Sequence, residues 1–188
     1  MKKLICMGDS MVFGFGVKRS ECWVSLLHET GGFAAVNRGV NGETTSDLVR
    51  RFENQILEAR PDLLLIMAGS NDFFQGERIT RAENNLIYLT RRAQAEGIRV
   101  LLSTITPYLP ELVPPLLAES IRLPEALVQR EALNERIRSR AECIDAASCI
   151  ESLPRAEQAA LYLDGVHLIA AGHRTVAGFL LPQICKAL

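Results

Sequence analysis

Six consecutive apolar residues, Leu63-Leu64-Leu65-Ile66-Met67-Ala68, constrain the fold of this chain more than any other stretch. The run is too short for a buried helix and has no polar face. It therefore reads as a strand covered on both sides, as central strands of parallel sheets are. Pro61-Asp62 opens it and Gly69-Ser70-Asn71-Asp72 closes it. A second run of the same kind, Leu4-Ile5-Cys6-Met7, ends on Gly8-Asp9-Ser10 and the glycine-rich Phe13-Gly14-Phe15-Gly16. Strands apolar on both faces need helices on both faces to cover them.

The intervening segments have that character. Residues 21–28 show helical spacing, stopped by Gly31-Gly32, and residues 33–37 form a short strand. Thr44 or Thr45 can cap a helix reaching to about residue 60, with Leu48, Phe52, Ile56 and Leu57 on one face. Thr80-x-x-Glu83 reads as a capping box for a helix that Gly97 ends. Residues 99–105 are a fourth strand, residues 143–147 a weaker fifth, and residues 170–187 a closing helix. Strand and helix alternating at this spacing predict an α/β chain with a parallel sheet. No repeat, low-complexity linker or composition break divides the 188 residues, so one domain over 1–188 is expected. Residues 106–124, with Pro107, Pro110, Pro114, Pro115 and Pro124, form the longest irregular stretch. Its leucine, tyrosine and valine content favours a functional loop over disorder.

Charge and cysteine usage narrow the class of function. A formal net charge of −1 with no long run of one sign argues against a nucleic-acid surface. No apolar run approaches the ~20 residues of a membrane span. Residues 1–7 are too short for a signal peptide and run straight into the first strand end, so no cleavable leader is expected ahead of it. Five scattered cysteines without a C-x-x-C pair read as reduced thiols of a cytoplasmic protein.

In an open parallel sheet, ligands bind outside the carboxyl ends of the strands. Ser10, the segment from Asn37 to Thr44, and Gly69-Ser70-Asn71-Asp72 each follow a strand, while Asp164-Gly165-Val166-His167 precedes the last helix. Acyl transfer requires a nucleophilic hydroxyl, a base for its proton, and donors aimed at the developing oxyanion. Asp164-x-x-His167 supplies a base with an orienting carboxylate on one turn, and glycine and asparagine supply neutral donors. Each piece alone also has a plain structural reading: a turn at Asp9-Ser10 or Asp164-Gly165, an Asx turn at Asn71-Asp72. His28 and His173 fall in predicted helices and read as structural. Asp9 and Asp72 read as acceptors for loop N–H groups. A metal-dependent phosphoesterase is the alternative, because Asp9, Asn71, Asp72, Asp164, His167 and His173 mix carboxylate, amide and imidazole. Against it, no histidine lies two residues after Asp9 and none adjoins Asn71. A binding module that had lost the chemistry would be expected to lack Ser10, Asn71 or His167, and all three are present.

The four segments, in this order, resemble the SGNH hydrolases, the GDSL esterase/lipase family, over almost the whole chain. Gly8-Asp9-Ser10 looks like the first block, Gly42 within Asn-x-x-x-x-Gly-Glu-Thr the second, Gly69-x-Asn71-Asp72 the third, and Asp164-x-x-His167 the last. Met11 stands where the family usually has leucine. Gly39 competes with Gly42, which is preferred because Glu43-Thr44 follows it. The resemblance implies a flavodoxin-like three-layer α/β/α sandwich whose five-stranded parallel sheet has the order 2-1-3-4-5. It implies Ser10 as nucleophile, His167 as base and Asp164 as its orienter. The oxyanion would be held by the N–H groups of Ser10 and Gly42 and by the Asn71 amide. No metal or organic cofactor is implied, and the partner is a small-molecule ester. The aromatic rim, with Phe13, Phe73, Tyr108 and Val166 as expected substrate contacts, suits a short or medium acyl group. Thioesterase, lysophospholipase and carbohydrate acetylesterase activities also occur in the family.

Overall fold

The computed structural model describes residues 1–188. Five strands, β1 (Lys3–Gly8), β2 (Ala34–Gly39), β3 (Leu63–Met67), β4 (Arg99–Ser103) and β5 (Cys143–Ile144), pair in parallel in the order β2-β1-β3-β4-β5. This is the flavodoxin-like order, with the chain reversing direction across the sheet between β1 and β3. Ten helices surround it. The short ones are α1 (Ser10–Phe13), α4 (Ser70–Phe74), α6 (Pro115–Ser120), α8 (Ser148–Glu151) and α9 (Arg155–Ala159). The longer ones are α2 (Trp23–Thr30), α3 (Thr45–Phe52), α5 (Ile79–Ala95), α7 (Leu123–Arg138) and α10 (Ala170–Ala187).

Side-chain alternation along β1 and β3 builds two apolar layers. Ile5, Met7, Leu64 and Ile66 face Leu48 and Phe52 of α3, Leu86 and Leu89 of α5, and Leu133 and Ile137 of α7. Leu4, Cys6, Leu63, Leu65 and Met67 face Trp23 and Leu27 of α2 and Val176, Leu180 and Ile184 of α10. A fully buried leucine or isoleucine contributes ~1.5–3 kcal/mol, more than the net ~1 kcal/mol of a ladder hydrogen bond. The central strands are thus fixed chiefly by what covers them. No helix is long and apolar enough to cross a membrane.

Several sequence expectations are corrected. Residues 106–124 are not irregular throughout: they hold a 3₁₀ turn at Pro110–Leu112, all of α6 and the start of α7. Proline is tolerated there because the first turn of a helix has no acceptor for its N–H. The Thr80 capping box is absent, since α5 starts at Ile79 with Arg78 as its cap, leaving Thr80 inside the first turn. Thr44, by contrast, caps α3 reciprocally with Asp47. Only two residues of the weak fifth strand pair with β4.

Candidate active site

The carboxyl end of β1 leads directly into α1. Asp9 caps this helix by accepting the Met11 N–H at 3.0 Å, which makes Ser10 its first residue. A helix of four residues has little stability of its own. Side-chain donors from neighbouring elements hold its carbonyls instead. The Trp23 indole N–H donates to Met11 O at 2.8 Å, and the Asn37 amide donates to Val12 O at 2.6 Å, joined there by the Cys22 thiol.

Before α10 the chain makes the tight turn Asp164-Gly165-Val166-His167. One Asp164 oxygen accepts the N–H groups of Val166 at 3.0 Å and His167 at 2.7 Å. The other lies 2.8 Å from His167 Nδ1. Burial alone would raise this carboxyl, but the His167 ring and the two backbone donors outweigh it and bring it down to about 2. A carboxylate facing Nδ1 assigns the ring proton to that nitrogen and leaves Nε2 as an acceptor. Nε2 lies 3.0 Å from Ser10 Oγ. The Phe15 ring sits against the imidazole, with centroids 4.5 Å apart.

Opposite this chain of contacts stand the neutral donors. Asn71, in the first turn of α4, donates one amide N–H to Glu43 O at 2.9 Å, which orients the amide and leaves its second N–H free. Gly42 has φ +79°, and its N–H makes no hydrogen bond within the chain. Gly39 does a different job. Its N–H is bonded to Asn37 Oδ1 at 2.8 Å, and a Cβ placed there would lie 2.1 Å from Phe13 N. Gly39 lets α1 lie against β2, while Gly42 presents a free donor.

Ser10, Gly42, Asn71 and His167 share a cavity of about 260 Å³ whose apolar walls are Met11, Phe15, Phe74, Leu117, Ile121 and Val166. Of the four expected substrate contacts, only Val166 lines it. Phe13 is half-exposed and lines a neighbouring depression with Val17 and Arg19. Phe73 is fully buried in the core: consecutive helical residues point about 100° apart, so Phe74 takes the cavity side. Tyr108 is buried too, with its ring 5.3 Å from that of Phe74 and the Arg130 guanidinium over its face. Leu117 and Ile121 come from the stretch expected to be irregular, and only helical spacing inside that proline-rich segment could have singled them out.

The remaining polar candidates are used structurally. Asp72 is fully buried and accepts the N–H and hydroxyl of Thr45 at 2.8 and 2.6 Å. Asp9 is buried and raised to about 6 by desolvation, with the Met11 N–H and the His167 charge pulling the other way. His173 Nδ1 accepts the Trp23 N–H at 3.3 Å, and His28 Nδ1 accepts that of Ala35 at 3.2 Å. No three His, Cys, Asp or Glu side chains gather as metal ligands would.

The chain is similar to known proteins in sequence and in fold. The model of the GDSL-like lipase/acylhydrolase family matches residues 6–175. Esterase TesA of Pseudomonas aeruginosa is 32% identical over 104 residues, which are 53% of this chain and 52% of that protein. Lipoprotein YqeF of Bacillus subtilis, whose function is uncharacterized, is 31% identical over 117 residues, 55% of this chain and 48% of that one. The chain thus spans about half the length of the curated relatives it matches. A GDSL-like lipase from Bacteroides thetaiotaomicron superposes with a TM-score of 0.79 at 23% identity, covering 100% of this chain and 89% of that one, a likeness of fold.

Proposed function

Because the chain belongs to the GDSL-like lipase/acylhydrolase family, we propose that it is a serine hydrolase cleaving carboxylic esters or thioesters of short to medium acyl groups. The observation that carries the reading is the unbroken contact from Ser10 Oγ to His167 Nε2 at 3.0 Å and from His167 Nδ1 to Asp164 at 2.8 Å, facing an apolar cavity. In this reading Ser10 Oγ attacks the acyl carbon and its proton passes to His167 Nε2. The Asp164 carboxylate stabilises the imidazolium and holds its tautomer. Charge developing on the carbonyl oxygen meets the N–H groups of Ser10 and Gly42 and the second amide N–H of Asn71. His167 then returns the proton to the leaving alcohol or thiol. A water, activated by the same base, attacks the acyl-enzyme and frees Ser10.

The cavity supports a small substrate. At about 260 Å³ it lies just under the ~300–1,000 Å³ of sites for drug-sized ligands, and no Lys or Arg lines it. That favours a small uncharged acyl chain over a long one. The same reading takes residues 1–188 as one hydrolase domain acting on a small molecule, without nucleic acid. The reading places the protein in the cytoplasm, a reducing compartment in which its five free cysteines would stay thiols. One relative bears a lipoprotein name, so fractionation of the source cells is the check on location.

The test is a panel of p-nitrophenyl esters from acetate to palmitate, with a fluorophosphonate as serine trap. Hydrolysis should peak at short to medium chains, stop on labelling, and fall by several orders of magnitude in Ser10→Ala at unchanged Tm. Full activity in Ser10→Ala would end the reading.

A further inference from the structure

Arg51 lies on α3, outside every segment that carries the chemistry, yet its side chain is only 12% exposed and turns toward the rim of the site. Its Nε donates to Glu43 Oε2 at 2.7 Å, and Nη2 lies 2.6 Å from the same oxygen. Nη2 also donates to Arg38 O at 2.8 Å and Gly8 O at 3.3 Å, while Nη1 donates to Gln55 Oε1 at 2.7 Å. Arg38 and Gly8 stand at the carboxyl ends of β2 and β1. Gly8 is two residues before Ser10, and Glu43 directly follows Gly42. One guanidinium therefore joins the strand that delivers the nucleophile to the turn that delivers the oxyanion donor.

That turn needs an outside anchor. Val40, Asn41 and Gly42 are exposed, and a Cβ on Gly42 would meet nothing within 4 Å. Within the turn there is one long hydrogen bond, Glu43 N–H to Val40 O at 3.4 Å. Asp72 anchors the far side through Thr45, and the Val40 N–H ties the start of the turn to Gly8 O at 3.0 Å, so the stretch between them, which carries Gly42, depends on Glu43. The Glu43 carbonyl in turn accepts the Asn71 amide at 2.9 Å, which makes the aim of Asn71 depend on the same turn. A planar guanidinium can serve these acceptors together, whereas an ammonium offers a single point charge. A largely buried ion pair is by itself a weak source of stability, so its place here is better explained by geometry.

We propose that Arg51 is a positioning residue of the oxyanion hole: through Glu43 it fixes the turn that presents the Gly42 N–H and aims the Asn71 amide. The inference rests on the serine-hydrolase reading. The experiment compares Arg51→Ala, Arg51→Lys and Glu43→Gln with the parent, counting active sites by fluorophosphonate titration so that kcat refers to reactive serines only. Arg51→Ala should lower kcat by ~10–10²-fold with KM within about twofold of the parent, since donors displaced by a fraction of an ångström act mainly on the tetrahedral state. Arg51→Lys should recover little, and added ethylguanidinium should restore part of the rate of Arg51→Ala.

In an Asn71→Ala background the further loss from Arg51→Ala should be smaller than in the parent, because only the Gly42 N–H is then left for Arg51 to position. Unchanged kcat per titrated serine, or a loss multiplying in full with that of Asn71→Ala, would overturn the proposal. Should Arg51→Ala not fold, Glu43→Gln keeps the shape, removes the charge, and is judged by the same two criteria. Failure of the hydrolase reading looks different. The parent itself would then resist the fluorophosphonate, or Ser10→Ala would keep its rate, and both readings would fall together.

Discussion

His173 ties the stability of the fold to pH with the sign opposite to that of a histidine that gains a charged partner. It sits inside α10 with 1% of its surface exposed, and its Nδ1 accepts the first backbone N–H of α2, from Trp23. Burial lowers the ring from its ordinary 6.5 to about 4; Glu21 opposes this and the charge of His167 adds to it. Between pH 6.5 and 4 the unfolded chain binds a proton that the folded chain refuses, so stability is complete above this window and is lost as pH falls through it. At ~1.4 kcal/mol per pH unit, the loss should be about 2 kcal/mol by pH 5 and about 3 kcal/mol by pH 4. His173→Gln keeps an acceptor for Trp23 and abolishes the titration. Urea melts of parent and variant at pH 7.5, 5 and 4 isolate the effect. The Asp9 carboxyl, raised to about 6, is common to both proteins and cancels in the difference, and Asp164, held at about 2, titrates below the window. The parent should lose about 3 kcal/mol more than the variant between pH 7.5 and 4, or ~2–4 °C of Tm per kcal/mol for a chain of this size. Parallel losses in the two proteins would refute the reasoning.

Two further outcomes follow from the site. Asn71→Ala should cost ~10²–10³ in kcat with little change in KM, and steady-state kinetics on a short-chain ester showing an unchanged kcat would remove Asn71 from the oxyanion hole. Gly39→Ala should be poorly folded or melt well below the parent, because its Cβ would press on the backbone of α1; Gly42→Ala, with open space but a positive φ, should cost only about 1–2 kcal/mol, and thermal melts of the two compare them.

How much was legible in the sequence depended on how far local pattern could carry. β1 and β3 are apolar on every residue that faces a helix layer, so their place in the middle of the sheet could be read directly. The order β2-β1-β3-β4-β5 came from the resemblance and agrees with the structure. Helix α7 escaped because its buried stripe includes Arg130 and Asn134 between leucines. Asn134 is tolerated there since both ends of its amide pair with the backbone of Ile105 at 2.8 Å, a partnership across 29 residues that no window reveals. The choice between Phe73 and Phe74 needed the axis of a five-residue helix. Arg51 was invisible for a similar reason: its acceptors, Gly8, Arg38 and Glu43, come together only once β1, β2 and α3 are packed.

Trp23 is the chain's sole tryptophan, it is fully buried, and its indole N–H holds the carbonyl of the residue after Ser10. The tryptophan fluorescence of this protein, excited selectively over its three tyrosines, therefore originates beside the turn that carries the nucleophile, with no second indole to dilute it. A red shift in emission that precedes loss of far-ultraviolet ellipticity would mark local opening of that turn ahead of global unfolding. The molecule thus carries its own optical reporter one residue from Ser10, readable in stopped flow without any label.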